Sequence, residues 1–423
     1  MKKVLIIAYY FPPLGGSGVQ RTLKFVKYLP QYGWEPTVLT IGSTAYYAKD
    51  ESLLKEIEQQ NIRVVRTQSS DPNSVLHKNH KEIVKMPKEG TRKVLTFLSD
   101  MVFIPDNKIG WKKHALKAAG ELLKNEKFDV IYATAPPVTD FLIGVELKKR
   151  FKVPLVIDYR DSWINYPYKY FPTPLHRYIH YRKEKHVVHK SDMIVTTSRH
   201  VKEELIQRHK FLNYNDIFIL SHGYDPEDLQ VDNPGILPRT EKMRFTYSGM
   251  FYGTITPVYF LQALAKVFKE NPRMRGRIEA CFVGLFRPEH INLVNQLGLQ
   301  NSVNLLGYLE HKEAVKYLLA SDVLWLINQD DLMTPGKLYE YIGTGKKILG
   351  CVTKGYLCAT IEEAGGTCVD PSNVDTIASA ITDLFAQFER NELRGARPEV
   401  MDKYNRMKLT GELAKIFTKY IEV

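Results

Sequence analysis

The chain has 423 residues, 44% of them hydrophobic and 25% charged, with a formal net charge of +12. This composition excludes a disordered chain, the length points to two domains rather than one core, and no apolar run approaches the roughly 20 residues that span a bilayer. The four cysteines, Cys281, Cys351, Cys358 and Cys368, form no CxxC pair and have no histidine at zinc spacing, so they read as reduced core residues of a cytoplasmic protein.

Charge is distributed unevenly. Residues 1–225 hold 36 Lys and Arg against 23 Asp and Glu, a balance of +13, whereas the remainder holds 23 against 24. A basic half implies an anionic partner there, whether a lipid headgroup, a phosphorylated acceptor or nucleic acid; solubility alone is the plainer alternative.

The opening Met1-Lys2-Lys3 and the apolar run after it imitate a signal peptide, but Pro12-Pro13 and the glycines cut the run short, so a first strand, Val4 to Tyr9, is expected. A glycine-rich loop follows, with Gly15 and Gly16, and then a helix with Val19, Leu23, Val26 and Leu29 on one face. The loop lacks the GxGxxG spacing, and no acidic residue ends the next strand, Thr37 to Thr40, which disfavours a nicotinamide cofactor. Residues 43–109 are less regular, with a strand at Arg63 to Arg66 and an excursion over 67–107 whose role the sequence does not disclose. From Trp111 onward βα units resume: a helix to Lys124, a strand Asp129 to Ala133, a helix Val138 to Arg150 and a strand Pro154 to Asp158.

At the end of that strand lies Asp158-Tyr-Arg-Asp-Ser-Trp163, where an α/β sheet places its sites. Asp158, Arg160, Asp161 and Trp163 are its candidates for chemistry; equally open is an ion pair of Arg160 with a carboxylate and a plugging role for Trp163. The passage Tyr166 to Lys190, including Tyr168, mixes aromatics with Lys and Arg. It suits a membrane interface, a single-stranded nucleic acid, or a core helix with a solvated basic face, and a core helix preceded by a peripheral membrane loop is the reading adopted.

Strand Met193 to Thr197, helix Val201 to His209 and strand Ile217 to Leu220 complete the first domain. Ser221-His-Gly-Tyr-Asp225 and a Pro- and Asp-rich linker lead to the second, with strands at Arg244 to Tyr247, Glu279 to Val283, Val303 to Leu306 and Val323 to Ile327. The stretch Met333 to Gly350 then reads as a helix started by Thr334 and Pro335 and ended by Gly343 and Gly345, leading into a strand from Lys347. Such a helix start, near Gly336, suits phosphate; Lys337 would add a point charge and Glu340 would accept from sugar hydroxyls. A plain amphipathic helix with solvated Lys and Glu is the alternative. A last helix is expected from Met401 to Ile421.

Together these motifs resemble the family 4 glycosyltransferases of the GT-B fold. Tyr9 to Arg21 resembles that family's N-terminal loop, Asp158 to Trp163 its acceptor-side loop, Ser221 to Asp225 its interdomain segment and Lys337 to Gly345 its donor-binding helix. The resemblance implies an α/β protein with two Rossmann-like, doubly wound domains facing a central cleft. They would comprise residues 1–222 on the acceptor side, a linker over 223–241, a nucleotide-sugar-binding domain over 242–400 and a helix over 401–423 packing back on the first domain. It implies a retaining transfer from a nucleotide sugar to a glycan or lipid-linked acceptor, in surface polysaccharide or glycolipid synthesis. Donor contacts would come from Gly15, Gly16, Gly249, Thr334, Gly336, Lys337, Leu338 and Glu340, and catalysis from Asp161 and Lys337.

Two departures from the family pattern stand out. Many members carry a glutamate eight positions before Glu340, where this chain has Leu332 after Asp330 and Asp331, and members often carry Arg and Lys in the loop that here reads Ser248-Gly-Met-Phe-Tyr-Gly253. Lys337 is expected to supply part of the missing charge. No metal cofactor and no nucleic-acid partner are expected, and the protein is placed in the cytoplasm, with contact to an anionic membrane at its inner face. The rival readings are a GT-B sugar epimerase, which requires a histidine and carboxylate set for proton chemistry that the sequence does not offer, and a non-catalytic nucleotide-sugar binder.

Overall fold

The structure, a computed structural model, describes residues 1–42, 44, 49–77, 89–167, 169–230, 240–330 and 334–419. Asp331, Leu332, Tyr168 and much of the interdomain linker therefore lie outside the described residues, as does the end of the expected last helix. The chain forms two compact units, Met1–Ser221 with Met407–Val423, and His222–Arg406.

The first unit is built on seven strands: β1 Lys2–Ile7, β2 Trp34–Ile41, β3 Arg63–Thr67, β4 Val130–Ala135, β5 Leu155–Tyr159, β6 Met193–Thr196 and β7 Ile217–Ile219. All pair in parallel, in the order β3-β2-β1-β4-β5-β6-β7. Parallel neighbours require crossovers, and the helices that make them cover both faces, so Val4 to Ile7 and Val130 to Ala133 read as unbroken apolar runs with no exposed surface.

Helix Pro174–Lys190 is a core helix, but what it buries is polar: His180 and Glu184 lie inward with Val187 and Val188. Glu184 accepts from Tyr159, from Arg208 at 3.1 Å and lies 2.9 Å from His209 Nε2. Among the described residues, the passage over 67–107 contains two helices, Pro72–His77 and Glu89–Val102.

The second unit holds β8 Met243–Ser248, β9 Ile278–Val283, β10 Val303–Gly307, β11 Val323–Asn328, β12 Lys347–Val352 and β13 Thr367–Val369, again all parallel, in the order β10-β9-β8-β11-β12-β13. Along β11, Val323, Trp325 and Ile327 enter one apolar cluster with Phe260 and Leu264, while Leu324 and Leu326 enter another with Leu338, Tyr341 and Ile348. That alternation of period two, buried on both sides, is what a doubly wound sheet requires of a central strand. The strand order reverses between β8 and β11, which makes the carboxyl ends of those strands the ligand crevice of this unit.

The expected single helix from Met401 is two helices, Pro398–Lys403 and Arg406–Lys419. The break has a backbone cause: Tyr224 N–H donates to the Tyr404 carbonyl and Arg406 N–H to the Tyr224 carbonyl, which removes residues 404–406 from the helical ladder. Leu409, Leu413, Ile416 and Phe417 of the second helix join the core of the first unit, where Phe417 packs edge-on to Trp34 and Tyr132.

Candidate active site

In the second unit, β8 ends at Ser248 and is followed by Gly249, β9 ends at Val283 and is followed by Gly284, and helix Gly336–Gly343 follows β11. Gly249 and Gly284 both have positive φ, 137° and 135°, and a Cβ on Gly284 would stand 2.1 Å from the Gly249 carbonyl oxygen. Only glycines let the two turns pass so closely. Tyr341 on the helix fixes the same loop, its hydroxyl accepting from Ser248 N–H at 2.9 Å.

Lys337 extends to this loop. Its Nζ donates to Tyr247 Oη at 2.8 Å, stands 4.1 Å from the centroid of that ring, and would be 2.4 Å from a Cβ on Gly249. The loop Ser248 to Gly253 has no cation of its own, and the structure brings the Lys337 amine against it. Burial pushes the amine down to about 7, with Glu340 opposing the shift. Tyr247 donates in turn to the Met250 carbonyl at 3.2 Å, and burial raises its own pKa well above the ordinary value, so it stays a neutral acceptor for the lysine.

The helix start differs from the expectation. The residue before the first turn is Pro335, with no side-chain cap, and Thr334 lies outside the helix. Proline suits this place because its missing N–H and fixed φ cost a helix start nothing. Leu338 is corrected as a donor contact: its side chain has no exposure and its N–H is spent on the Pro335 carbonyl at 3.1 Å. Gly336 and Lys337 have backbone N–H groups without an acceptor among the described residues. At the other end Gly345, with φ of 67°, takes the left-handed turn, while Gly343 stays in the helix, where a Cβ would strike the Tyr224 ring.

Glu340 is half-buried one turn into the helix, and its partner is a residue that sequence reasoning missed. His311 Nε2 lies 3.1 Å from Glu340 Oε1, and His311 Nδ1 lies 3.8 Å from Asp228 Oδ2. Burial pushes the Glu340 carboxyl up, but the His311 hydrogen bond and the charges of His311, Arg406 and Lys337 together outweigh it and leave the pKa lowered, so Glu340 is an ionised acceptor. His311 stands four residues beyond the end of β10; its place at the carboxyl edge of the sheet was the signal that could have found it.

In the first unit the Asp158 to Trp163 cluster separates into structural members and one open group. Asp158 is corrected: it has no exposed surface and is bound by Arg21 through Nε at 3.0 Å and Nη2 at 2.9 Å, with Thr134 donating at 3.0 Å. Arg160 is corrected too. Among the described residues it makes no ion pair with a carboxylate and donates to the carbonyls of Ala135, Gly18 and Pro136 at 2.8, 2.9 and 3.1 Å, a structural role. It thereby ties the glycine-rich loop to the turn after β4, and Gly18 leaves room for its Nη1, which would meet a Cβ at 2.8 Å. Trp163 is buried, its Nε1 donating to His180 Nδ1 at 2.9 Å, so it is a plug and not an acceptor contact.

Asp161 is different. It is half-buried with no hydrogen-bond or ion-pair partner among the described residues, and burial, opposed by Arg160, holds its carboxyl above the ordinary range. Gly15 is buried, and Gly16, exposed with φ of 106°, precedes the first turn of helix Ser17–Tyr28.

The cysteines are free thiols, with Cys281, Cys351 and Cys358 buried and Cys368 half-buried. Cys358 and Cys368 converge with Glu362, their ligand atoms within 4.8 Å of one another, on the wall of a cavity of about 660 Å³. Burial raises both thiols, which keeps them protonated as they stand.

Two family models match this chain. The model described as Glycosyltransferase Family 4 matches residues 16–228, just over half of the chain. The chain belongs to glycosyltransferase family 4. The model described as Glycosyl transferases group 1 matches residues 239–398 of this glycosyltransferase. No match was found among curated proteins.

Solved structures resemble the glycosyltransferase over its whole length. HepE of Anabaena, solved with UDP and glucose, gives a TM-score of 0.69 at 14% identity, covering 99% of this chain and 100% of its own. Sucrose-phosphate synthase of Thermosynechococcus elongatus gives 0.68 at 15% identity and 99% of each chain. A glycosyltransferase of Rickettsia africae gives 0.65 at 14% identity, covering 100% and 99%. The fold is GT-B, two Rossmann-like domains each with its own parallel sheet.

Proposed function

We propose that this glycosyltransferase takes a sugar from a nucleotide-diphospho-sugar and transfers it, with retained anomeric configuration, to a glycan or lipid-linked acceptor in surface polysaccharide or glycolipid synthesis. The observation that carries the donor reading is the meeting of Lys337 with Gly249 at the β8–β11 crevice, on a helix whose Gly336 and Lys337 N–H groups have no acceptor among the described residues. Negative charge develops on a departing diphosphate, and an ammonium with two N–H groups fixed beside it stabilises that charge without rearrangement. Glu340, ionised and held by His311, accepts from donor hydroxyls. Retention rests on the family. UDP in the HepE complex supports a nucleotide donor. Thermal shift against a panel of nucleotides and nucleotide sugars, followed by an assay of nucleotide release, tests the reading; no shift with any of them overturns it.

Glu340→Ala is expected to weaken nucleotide-sugar binding by about 1 to 3 kcal/mol, read by calorimetry. Unchanged affinity would remove Glu340 from the donor site. Turnover is also expected to need no divalent metal, because the lysine and the helix start supply the positive charge. Activity in excess EDTA should match activity in magnesium, whereas loss in EDTA with rescue by magnesium would reject this mechanism and point to Asp330 and its neighbour Asp331.

A second reading, an epimerase acting on the nucleotide sugar, has one observation in its favour: His311 and Glu340 form a histidine and carboxylate pair at the site. Incubation with nucleotide sugar alone in deuterated water separates the two, since proton abstraction from the sugar would leave deuterium in it.

A further inference from the structure

Helix Glu89–Val102 is inside out. Val94, Leu95, Phe97, Leu98, Met101 and Val102 are between 41% and 71% exposed, whereas Asp100 is buried and paired with Lys169 Nζ at 2.7 Å. Positions 94, 95, 98, 101 and 102 follow the i, i+4, i+7 spacing of one helical face, so the apolar residues form a stripe turned to solvent. A second element continues it. His176 Nε2 lies 3.2 Å from the Met101 carbonyl, and beside it Leu175 and Tyr178, at the start of helix Pro174–Lys190, are 63% and 56% exposed. Further along the same helix the exposed side chains become cationic, at Arg182 and Lys185, with Arg177 beside Tyr178. Monomeric proteins rarely expose contiguous apolar surface of this extent without an occupant.

We propose that this face is a docking surface for an anionic lipid bilayer, the apolar stripe entering the headgroup and acyl boundary and the Arg and Lys rim meeting the lipid phosphates. Three observations select a bilayer over another occupant. Among the described residues no helix is long and apolar enough to cross a membrane, so contact would be lateral. The rim is basic and lies in the half of the chain that carries the whole excess of +13, which complements an anionic leaflet. A second copy would set the same cationic rim against itself. The proposal rests on the reading of a lipid-linked acceptor, whose lipid would then share the surface that holds the enzyme.

The test uses the full chain and vesicles of phosphatidylcholine alone or mixed with phosphatidylglycerol. Flotation should show binding to the mixed vesicles that fades with salt, and the triple variant Leu95→Gln, Leu98→Gln, Val102→Gln should bind at least tenfold more weakly. These side chains are exposed, so the variant should fold, and unchanged nucleotide affinity checks that. All four native tryptophans are buried, so Phe97→Trp adds the one indole whose emission should shift to the blue on mixed vesicles. Wild-type and triple variant binding equally, no blue shift, or a lipid-free dimer that the triple variant dissolves would each overturn the proposal, the last by making a second copy the occupant. Vesicle binding without affinity for any nucleotide sugar would leave this surface in place and reject the transferase reading instead.

Discussion

Lys337→Met is expected to lower turnover by roughly a hundredfold or more, with a smaller loss of donor affinity in the ground state. The methionine keeps the side chain as far as Cε and removes the ammonium, with its hydrogen bond to Tyr247 and the charge that a departing diphosphate needs most in the transition state. The free enzyme holds this amine at about 7 because burial disfavours its charged form and Glu340 offsets that only in part. An unfolded lysine titrates near about 10.4, so above pH 7 the folded chain sheds a proton the unfolded chain keeps, and this group's contribution to stability rises with pH. A bound diphosphate acts in the opposite direction, raising the amine and taking up a proton. Donor affinity should therefore fall as pH rises from 7 toward 9, and calorimetry in buffers of different ionisation enthalpy should register the proton uptake. In Lys337→Met both effects should vanish. Turnover within a few-fold of wild type, or affinity flat across that range, would release Lys337 from the role.

The parts legible in the sequence were those carried by local pattern. Unbroken apolar runs such as Val4 to Ile7 announce central parallel strands, and the glycines and proline around Gly336 announce a helix start at the end of β11. What pattern could not disclose was pairing across distance. Nothing near Asp158 indicates that Arg21, 137 residues away, will take both its oxygens, and nothing near Glu340 names His311 as its partner. The same applies to helix Glu89–Val102: its period marks an amphipathic helix, but only burial of Asp100 shows that the apolar side faces outward. Leu338 misled for a related reason, since a residue beside a phosphate-binding turn can send its side chain to the core.

Asp158→Ala and Asp161→Asn, three residues apart, should behave in opposite ways. Asp158 and Arg21 are both without exposed surface, and removing the carboxylate leaves the guanidinium with only neutral partners, among them the carbonyls of Leu220 and Ser221 and the Phe25 ring. A buried charge left unpaired costs about 3 to 5 kcal/mol, so Asp158→Ala should lose that much in denaturant unfolding of the first unit. Removing both charges, in Arg21→Met with Asp158→Leu, should recover most of it, because the desolvation penalty goes with the pair. Burial pushes the Asp158 carboxyl up, but Arg21 outweighs it and leaves the pKa below the ordinary value. Its contribution is thus complete above the unfolded carboxylate value of about 3.9 and disappears as pH falls through the lowered folded value. Asp161 has the reverse bias: burial raises its pKa, so its charge is a cost to the fold, and Asp161→Asn should leave stability within about 0.5 kcal/mol or improve it. If Asp161 orients the attacking hydroxyl of the acceptor, that same variant should cut turnover while donor affinity holds. Donor affinity falling as far as turnover would remove it from the acceptor side, and an Asp158→Ala enzyme that kept its stability but lost its turnover would return Asp158 to the chemistry.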